Sequence, residues 1–166
     1  MLTYDNLLHL KYLSHCIYET LRIDPSVPIS SPFMFTEPVQ IGGYTIRDDH
    51  YCQINIYGLH HNPAEWQRPE EFLPERWDSD NPLSLTPNGT KRHPMSYGPF
   101  LGGRRVCLGK TFSETAIKVI ISMVLQLYTI ELHDKDHYVN KPFIAGTPRD
   151  PPTYIDVKKR HYDYSQ

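Results

Sequence analysis

The sequence predicts a mostly α-helical fold with small β-sheets, in the α+β class. Two segments carry apolar residues at helical spacing, and the short runs between them have the β-branched and aromatic composition of strands. Fifteen prolines in 166 residues are about twice the average usage, so long loops and turns are expected. A chain of this length can bury a core, and we expect residues 1–166 to form part of a single domain.

Two long helices are predicted. The first covers residues 5–23 and ends before Pro25, because proline does not continue a helix. Its apolar residues recur every three or four positions, at Leu7, Leu10, Leu13, Ile17 and Leu21. The second helix covers residues 109–128. Residues 119–127 are apolar on most sides, which indicates that this helix is buried.

Short strands are predicted between the helices, in the runs "FMFT", "VQI", "YTI" and "YCQINIY". Gly42-Gly43 separates two of these runs and predicts a hairpin turn. Cys52, Ile54 and Ile56 alternate along the last run, so they are expected to share one face and lie in the core. The tail, "KPFIAGTPRDPPTYIDVKKR", is predicted to form short strands and turns.

A proline-rich loop is predicted over residues 62–99. It contains "NP", "RPEEFLPERW" and "NPLSLTPNG", and no apolar period persists along it. We expect an ordered loop with one short helix near residues 64–67.

Composition narrows the classes of function. A net charge of -2 and a pI of about 6.5 argue against nucleic acid as a partner, since nucleic-acid-binding domains usually carry a dense basic patch. Three cysteines without a CxxC pair do not form a disulfide framework, which favours a reducing compartment. No signal peptide is recognised at the start of the chain, and no apolar run reaches the ~18 residues of a membrane span.

The segment "SYGPFLGGRRVCLGKTF" places Cys107 just before the second predicted helix. Free backbone N–H groups and the positive end of the helix dipole favour a thiolate there, and Arg104 and Arg105 add positive charge. Glycines around the cysteine remove side chains that would keep a large flat group away from the sulfur. The loop therefore presents a thiolate to a bulky partner.

Three roles for Cys107 are open. A catalytic nucleophile needs a base, and nothing in the sequence brings the nearest preceding histidine, His93, to it. A zinc ligand needs partners at short spacing, and "CLGKTF" offers none. An axial ligand of haem iron needs no second protein ligand, because the porphyrin supplies four nitrogens. The last interpretation accounts for the glycines and the lone thiol together.

The loop resembles the haem-binding loop of the cytochromes P-450. That family's pattern is matched in "PFLGGRRVCLG" by Phe100, Gly103, Arg105, Cys107 and Gly109. "ETLR" is similar to the Glu-x-x-Arg of the family's K helix, and "RPEEFLPERW" to the segment that donates a second arginine to it. These matches give Glu19, Arg22 and Arg76. "GLHHNPAEW" resembles a further family segment, in which His61 and Asn62 replace Arg and Asp.

The resemblance implies a role for each matched residue. Cys107 would ligate the iron of haem b as a thiolate, Arg105 would bind a haem propionate, and Phe100 would pack near the sulfur. Gly103 and Gly109 would shape the same cofactor-binding loop. Glu19, Arg22 and Arg76 would form a buried network that fixes this loop. The adjacent histidines, His60 and His61, are instead expected to be a satisfied loop pair, because neighbours outside a helix point in different directions.

The resemblance also implies an activity and partners: insertion of one oxygen atom from O2 into a lipophilic small molecule, with electrons from a reductase. Two apolar segments would reach the substrate, and they contain Val27, Pro28 and Ile29, and Phe143, Ile144 and Ala145. The reductase would dock on the cysteine face, which is expected to carry Lys91, Arg92, Arg104 and Lys110. A eukaryotic-type parent protein would lie on the endoplasmic reticulum membrane, and any other would be cytoplasmic.

The chain is shorter than full members of this family. They are about three times as long, so the chain resembles their C-terminal part, from the K helix onward. The family's central oxygen-activating helix and N-terminal part, with any membrane anchor, are not matched. The parent protein is thus expected to be a monooxygenase, with the activity of this chain alone open. The alternatives are a non-catalytic haem-binding fragment or relic, and a Cys/His zinc module.

Overall fold

The computed structural model describes residues 4–133 and 154–160. Helices in this part of the chain are α1 (Tyr4–His9), α2 (Lys11–Ile23), α3 (Ile56–His60) and α4 (Lys110–Leu127). Strands are β1 (Val39–Ile41), β2 (Tyr44–Ile46), β3 (Tyr128–Leu132) and β4 (Ile155–Lys159). The strands form two antiparallel pairs, β1 with β2 and β3 with β4. Helices thus dominate over two small sheets, as the sequence predicts.

The first predicted helix is divided in two at Leu10. Leu10 leaves the helical region at ψ 61°, and its carbonyl accepts hydrogen bonds from the backbone and the hydroxyl of Ser14, at 3.1 and 3.0 Å. No glycine or proline marks this break, so the spacing of apolar residues did not indicate it. The predicted end is confirmed: α2 stops at Ile23, directly before Asp24 and Pro25.

The Gly42-Gly43 hairpin forms as predicted. Both glycines have positive φ, +58° and +84°, the conformation that a two-residue hairpin turn of type I′ requires. Val39 pairs with Ile46 and Ile41 with Tyr44 across the turn.

The prediction of a strand in "YCQINIY" was wrong. Only single bridges form there, between Phe33 and Cys52 and between Ile29 and Asn55, and α3 begins at Ile56. The cause is Asn55, whose side-chain oxygen accepts the backbone N–H of Gly58 at 2.8 Å and caps the helix. Cys52 does share the more buried side of this run with Ile56, but it is only half-buried.

The proline-rich loop is ordered by short 3₁₀ turns. Three of them begin with a proline, at Pro74–Trp77, Pro82–Ser84 and Pro94–Ser96. Proline suits this first position because its fixed φ is already helical and its missing N–H has no helical partner to lose. The predicted short helix at residues 64–67 is instead a turn, in which the backbone N–H groups of Glu65 and Trp66 both donate to Asn62.

The second predicted helix is present, but the prediction that it is buried was wrong. Of its side chains, only Ser122 is buried, while Ile120 is 60% and Met123 52% exposed. Periodicity identifies an apolar helix but does not reveal whether another element covers it. The buried apolar side chains lie elsewhere, on α1, α2, α3 and the proline-rich loop: Leu7, Ile17, Leu21, Ile56 and Trp66.

The tail is described only in part. β4 pairs with β3 in a register that joins Tyr128 to Lys159 and Leu132 to Ile155, which agrees with the strands predicted for "YIDVKK". The predicted turn around residues 143–145 lies outside the described residues. No helix that the structure describes is both long enough and apolar enough to cross a bilayer.

The exposed face of α4 generates a prediction. Replacing Ile120 and Met123 together by glutamate should reduce the fluorescence of a hydrophobic dye, because both side chains already face water. The free energy of unfolding should change by less than about 1 kcal/mol, as for other exposed positions. A loss of several kcal/mol in urea unfolding would contradict this description, since it would mean that this face is covered.

Candidate functional site

The Cys107 loop closes on itself through backbone hydrogen bonds. The N–H of Cys107 donates to the carbonyl of Phe100 at 2.9 Å, and its carbonyl accepts the N–H of Lys110 at 3.3 Å. Gly103 has φ +62°, in the left-handed region, and begins a single 3₁₀ turn that ends at Arg105. The sequence thus folds a tight loop directly onto the start of α4.

The thiol of Cys107 is exposed and faces a cavity of about 380 Å³, within the range of small-molecule sites. Apolar surface makes up most of the wall, and Arg105 is among the residues that line it. Residues from α2, the segment after it, the loop and α4 meet here, among them Leu21, Val27, Phe100, Leu101, Arg105 and Ile117. A sulfur, a cation and an apolar wall therefore share one open space.

These features fit a haem. Arg105 has no carboxylate partner among the described residues, which leaves its guanidinium available to a propionate. A Cβ at Gly109 would stand 3.8 Å from the Cys107 sulfur, an ordinary van der Waals contact, so the role of this glycine toward a cofactor stays a prediction. A Cβ at Gly103 would meet no atom, and the positive φ there favours glycine.

The zinc alternative lacks a ligand set. In residues 4–133 and 154–160, no three side chains of the His, Cys, Asp and Glu types are placed to hold a metal ion. A structural zinc site in proteins generally needs four such ligands. The interpretation of Cys107 as part of a Cys/His zinc module is therefore not supported.

Glu19, Arg22 and Arg76 lie together, fully buried. Arg22 forms a bidentate pair with Glu19, with Nε and Nη2 at 3.0 and 2.9 Å from its two carboxylate oxygens. Nε of Arg76 donates to the same carboxylate at 2.8 Å. Two further donors, the backbone N–H of Leu73 and the indole N–H of Trp77, each lie 3.0 Å from it. Five hydrogen bonds thus converge on one carboxylate.

The arginines also bind the proline-rich loop. Arg22 donates to the loop carbonyls of Pro69 at 2.7 Å and Glu71 at 3.1 Å, and to the carbonyl of His60 at the end of α3 at 2.9 Å. Arg76 donates to carbonyls within the same loop, those of Gln67, Arg68 and Glu71. Because these carbonyls are far apart in sequence from α2, the network fastens the loop to the helix.

Burial and charge act in opposite directions on this network. Burial raises the pKa of Glu19. The hydrogen bonds from Arg22 and Leu73 and the positive charges of both arginines lower it by more, so the pKa of Glu19 lies below its usual value. Burial lowers the pKa of Arg76, and the charge of Glu19 opposes that shift. An arginine starts from so high a pKa that the guanidinium of Arg76 remains charged despite this shift.

Sequence analysis missed the aromatic residues around the network. Trp66 is almost fully buried, and the guanidinium of Arg92 lies 4.4 Å from its ring centroid.

Arg92 was expected on the positive cysteine face, and that expectation was wrong. Its guanidinium donates to the carbonyls of Leu83 and Arg76, at 2.8 and 2.9 Å, and is thus committed to the loop interior. Lys91, Arg104 and Lys110 are exposed, and their place on one face stays a prediction.

His60 and His61 have different environments, but the prediction of a loop pair was wrong, because His60 is the last residue of α3. Nδ1 of His61 lies 2.9 Å from the carbonyl of Tyr57, and the residue is partly exposed. His60 is fully buried and lies between Arg22 and Gly98, with Nδ1 3.2 Å from the carbonyl of Arg22 and Nε2 3.0 Å from the N–H of Gly98. The prediction of a loop pair did not anticipate these contacts.

The predicted substrate segments are placed only in part. Val27 lines the cavity beside Cys107. Pro28 and Ile29 are held by backbone contacts, with Tyr57 and Asn55 respectively, and the side chain of Ile29 is exposed. Phe143, Ile144 and Ala145 lie outside the described residues, so their role stays a prediction.

Comparison with known proteins decides the family. The family model described as cytochrome P450 matches residues 1–154 of the chain. The chain belongs to the cytochrome P450 family. The family is one of monooxygenases with haem b as cofactor, so the predicted family, fold class and cofactor are confirmed.

The relatives are animal cytochromes P450. Cytochrome P450 4F6 of Rattus norvegicus is 36% identical over 133 residues, which cover 80% of this chain and 24% of the relative. Cytochrome P450 4c3 of Drosophila melanogaster is 38% identical over 133 residues, or 80% of this chain and 23% of the relative. Cytochrome P450 4V2 of Mus musculus is 34% identical over 164 residues, 97% of this chain and 29% of the relative. The chain therefore spans about a quarter of their length.

Solved structures agree with the fold. A cytochrome P450DA heme domain is 27% identical with a TM-score of 0.77, covering 97% of this chain and 34% of that one. Retinoic-acid-bound cyanobacterial CYP120A1 has a TM-score of 0.80 at 24% identity, covering 96% of this chain and 35% of that one. At that identity the likeness to the cyanobacterial protein is one of fold.

Because of the buried network, we expect alanine substitutions of two glutamates to differ greatly in their effect on the free energy of unfolding. Glu19→Ala should lower the free energy of unfolding by about 3–5 kcal/mol, because it leaves two buried guanidinium groups without their counter-charge. Glu71→Ala is the matched control, since its side chain pairs with Arg68 on the surface and should contribute at most about 1 kcal/mol. Urea unfolding measures both. Equal losses would contradict the prediction that the buried Glu19 carboxylate stabilises the fold more than the exposed Glu71 pair does.

His60 predicts a dependence of stability on pH. Burial, with the charges of Arg22 and His61, lowers the pKa of His60 from 6.5 to about 4 in the folded chain. Between these two values the unfolded chain binds a proton that the folded chain does not, so stability falls as the pH falls, by up to about 1.4 kcal/mol per pH unit. Urea unfolding at pH 7 and pH 5 measures this slope. His60→Gln should have a shallower slope, and an unchanged slope would contradict the assignment.

Proposed function

We propose that this chain supplies the haem-ligating part of a haem-thiolate monooxygenase. The observation that carries the proposal is the exposed thiol of Cys107, which shares a cavity of about 380 Å³ with Arg105 and Phe100. Membership in the cytochrome P450 family supplies the cofactor, haem b. We also propose that residues 1–166 form part of one domain and correspond to the C-terminal part of longer family members.

Each loop residue has a proposed role toward the haem. Cys107 would ligate the iron as a thiolate, and Arg105 would pair with a propionate through its guanidinium. Phe100 would limit the access of water to the sulfur. When bound, the haem activates O2 so that one oxygen atom enters a C–H bond of the substrate.

The buried network would hold this loop in place. Arg22 and Arg76 fasten the proline-rich loop to α2, and Arg92 joins the carbonyl of Arg76 to the part of the loop that leads into Tyr97 and Gly98. A thiolate ligand requires a fixed backbone, because a shift of the loop would move the sulfur away from the iron. The proposed role of Glu19, Arg22 and Arg76 is therefore to position Cys107 indirectly.

The proposed substrate is a lipophilic small molecule. The cavity wall is largely apolar and includes Val27 and Ile117. The proposed electron donor is a reductase that docks against the exposed cations Lys91, Arg104 and Lys110. For the full-length protein we propose the endoplasmic reticulum membrane, and the net charge of -2 gives no reason to propose nucleic acid as a partner.

A second candidate is a haem-binding chain without turnover. One observation favours it: α4 leaves Ile120 and Met123 exposed. An apolar helix face of this kind usually packs against another element in a complete domain. Both candidates share the Cys107–haem bond, and they differ only in whether this chain alone oxidises a substrate.

The carbon-monoxide difference spectrum of the reduced, haem-loaded chain tests the proposal. Thiolate ligation predicts a red-shifted Soret band that is lost in Cys107→Ser. Cys16→Ser is the matched control and should keep the band, because Cys16 lies on α2 outside the cavity of Cys107. A wild-type spectrum without the shifted band would refute the proposed ligation, and the same band without substrate oxidation would favour the second candidate.

The network adds a prediction for haem loading. Glu19→Ala and Arg22→Ala should each prevent stable haem incorporation, because the loop that carries Cys107 loses its attachment to α2. The ratio of Soret to protein absorbance measures the haem content after purification. Normal haem content in either variant, with a normal fold by circular dichroism, would contradict the positioning role.

A further inference from the structure

We propose that His60 is a positioning residue that fixes the start of the Cys107 loop through the backbone of Gly98. The inference rests on the proposed function, since the loop matters as the carrier of the iron ligand. His60 lies 47 positions before Cys107 in the printed sequence and does not line the cavity. Its action would therefore pass through the backbone and not through the haem.

The hydrogen bonds of His60 fix its tautomer. The carbonyl of Arg22 can only accept a hydrogen bond, so Nδ1, 3.2 Å away, must carry the proton. The N–H of Gly98 can only donate, so Nε2, 3.0 Å away, must present its lone pair. Both contacts require the neutral imidazole with its proton on Nδ1. A protonated ring would present an N–H to the N–H of Gly98.

His60 is joined to the buried network in both directions. Its ring donates to the carbonyl of Arg22, while the guanidinium of Arg22 donates to the carbonyl of His60 at 2.9 Å. The ring also stacks on Tyr97, with centroids 5.2 Å apart at an angle of 26°. Because the residue is fully buried, water does not compete for these bonds.

From Gly98 the contacts lead to the sulfur-bearing residue. The carbonyl of Gly98 accepts the N–H of Leu101 at 2.9 Å, which forms the turn that contains Phe100. The carbonyl of Phe100 then accepts the N–H of Cys107 at 2.9 Å. A continuous path of hydrogen bonds and backbone therefore runs from Glu19 through Arg22, His60 and Gly98 to the backbone of Cys107, and it is buried as far as Gly98. His60 is the side chain on this path that hydrogen-bonds to both Arg22 and Gly98.

Two amide variants separate the two ends of the imidazole. Asparagine places an N–H near the position of Nδ1 and can still donate to Arg22, but it offers no acceptor to Gly98. Glutamine is longer, and its carbonyl oxygen reaches the position of Nε2, so it can still accept from Gly98. Each variant removes one hydrogen bond from a buried site, so a role in overall stability alone predicts similar losses for both.

The first readout needs no haem. Amide hydrogen exchange is measured by NMR on the chain with its nine glycines labelled, and the Gly98 signal is identified by its loss in Gly98→Ala. A Cβ there would meet its nearest atom at 4.0 Å, an ordinary contact. His60→Asn should reduce the protection of the Gly98 amide at least tenfold, and His60→Gln by less than threefold. Unchanged protection in His60→Asn, or equal loss in both variants together with the α2 amides, would overturn the inference.

The second readout uses the haem-loaded chain. The fraction of the red-shifted carbon-monoxide form should fall at least threefold in His60→Asn and stay near the wild-type value in His60→Gln. Equal fractions in the two variants would overturn a role in positioning the thiolate. If the wild type itself lacks the shifted form, the proposed function fails, while the exchange result still decides whether His60 holds Gly98.

Discussion

The structure depends on one buried carboxylate. Glu19 accepts hydrogen bonds from Arg22, Arg76, Leu73 and Trp77, and so joins α2 to a loop that has little regular structure of its own. A loop of this length loses much conformational entropy on folding, and its few buried apolar side chains offset only part of that loss. The two arginines also bind five different backbone carbonyls. The charged cluster therefore holds in place a loop that buries few apolar side chains.

The same cluster links folding to the candidate site. The side chain of Arg22 contacts the carbonyl of His60, and the ring of His60 contacts Gly98, two residues before Phe100. The loop then closes with the hydrogen bond from Cys107 to Phe100. The bonds of His60 are buried and so not weakened by competing water, which allows an exposed thiol to be held in place through its backbone. Exposure of the sulfur and rigidity of its backbone are thus compatible.

Local features of the sequence predicted local structure well. The end of α2 before Pro25, the Gly42-Gly43 hairpin and the helix after Gly109 each follow from a few adjacent residues, and each is present. The motif residues Glu19, Arg22 and Arg76 lie together, although their roles remain predictions. What could not be predicted depends on distant contacts. The ring of His60 contacts residues 38 positions away on both sides, and the exposure of α4 depends on which other elements are present to cover it.

The central claim is that the sulfur of Cys107 ligates haem iron. X-ray absorption at the iron edge of the haem-loaded chain tests it most directly, because the first coordination shell distinguishes sulfur from nitrogen and oxygen. The account predicts one sulfur neighbour of iron in the wild type and in Cys52→Ser, and none in Cys107→Ser. A wild-type iron surrounded only by nitrogen or oxygen atoms would contradict it.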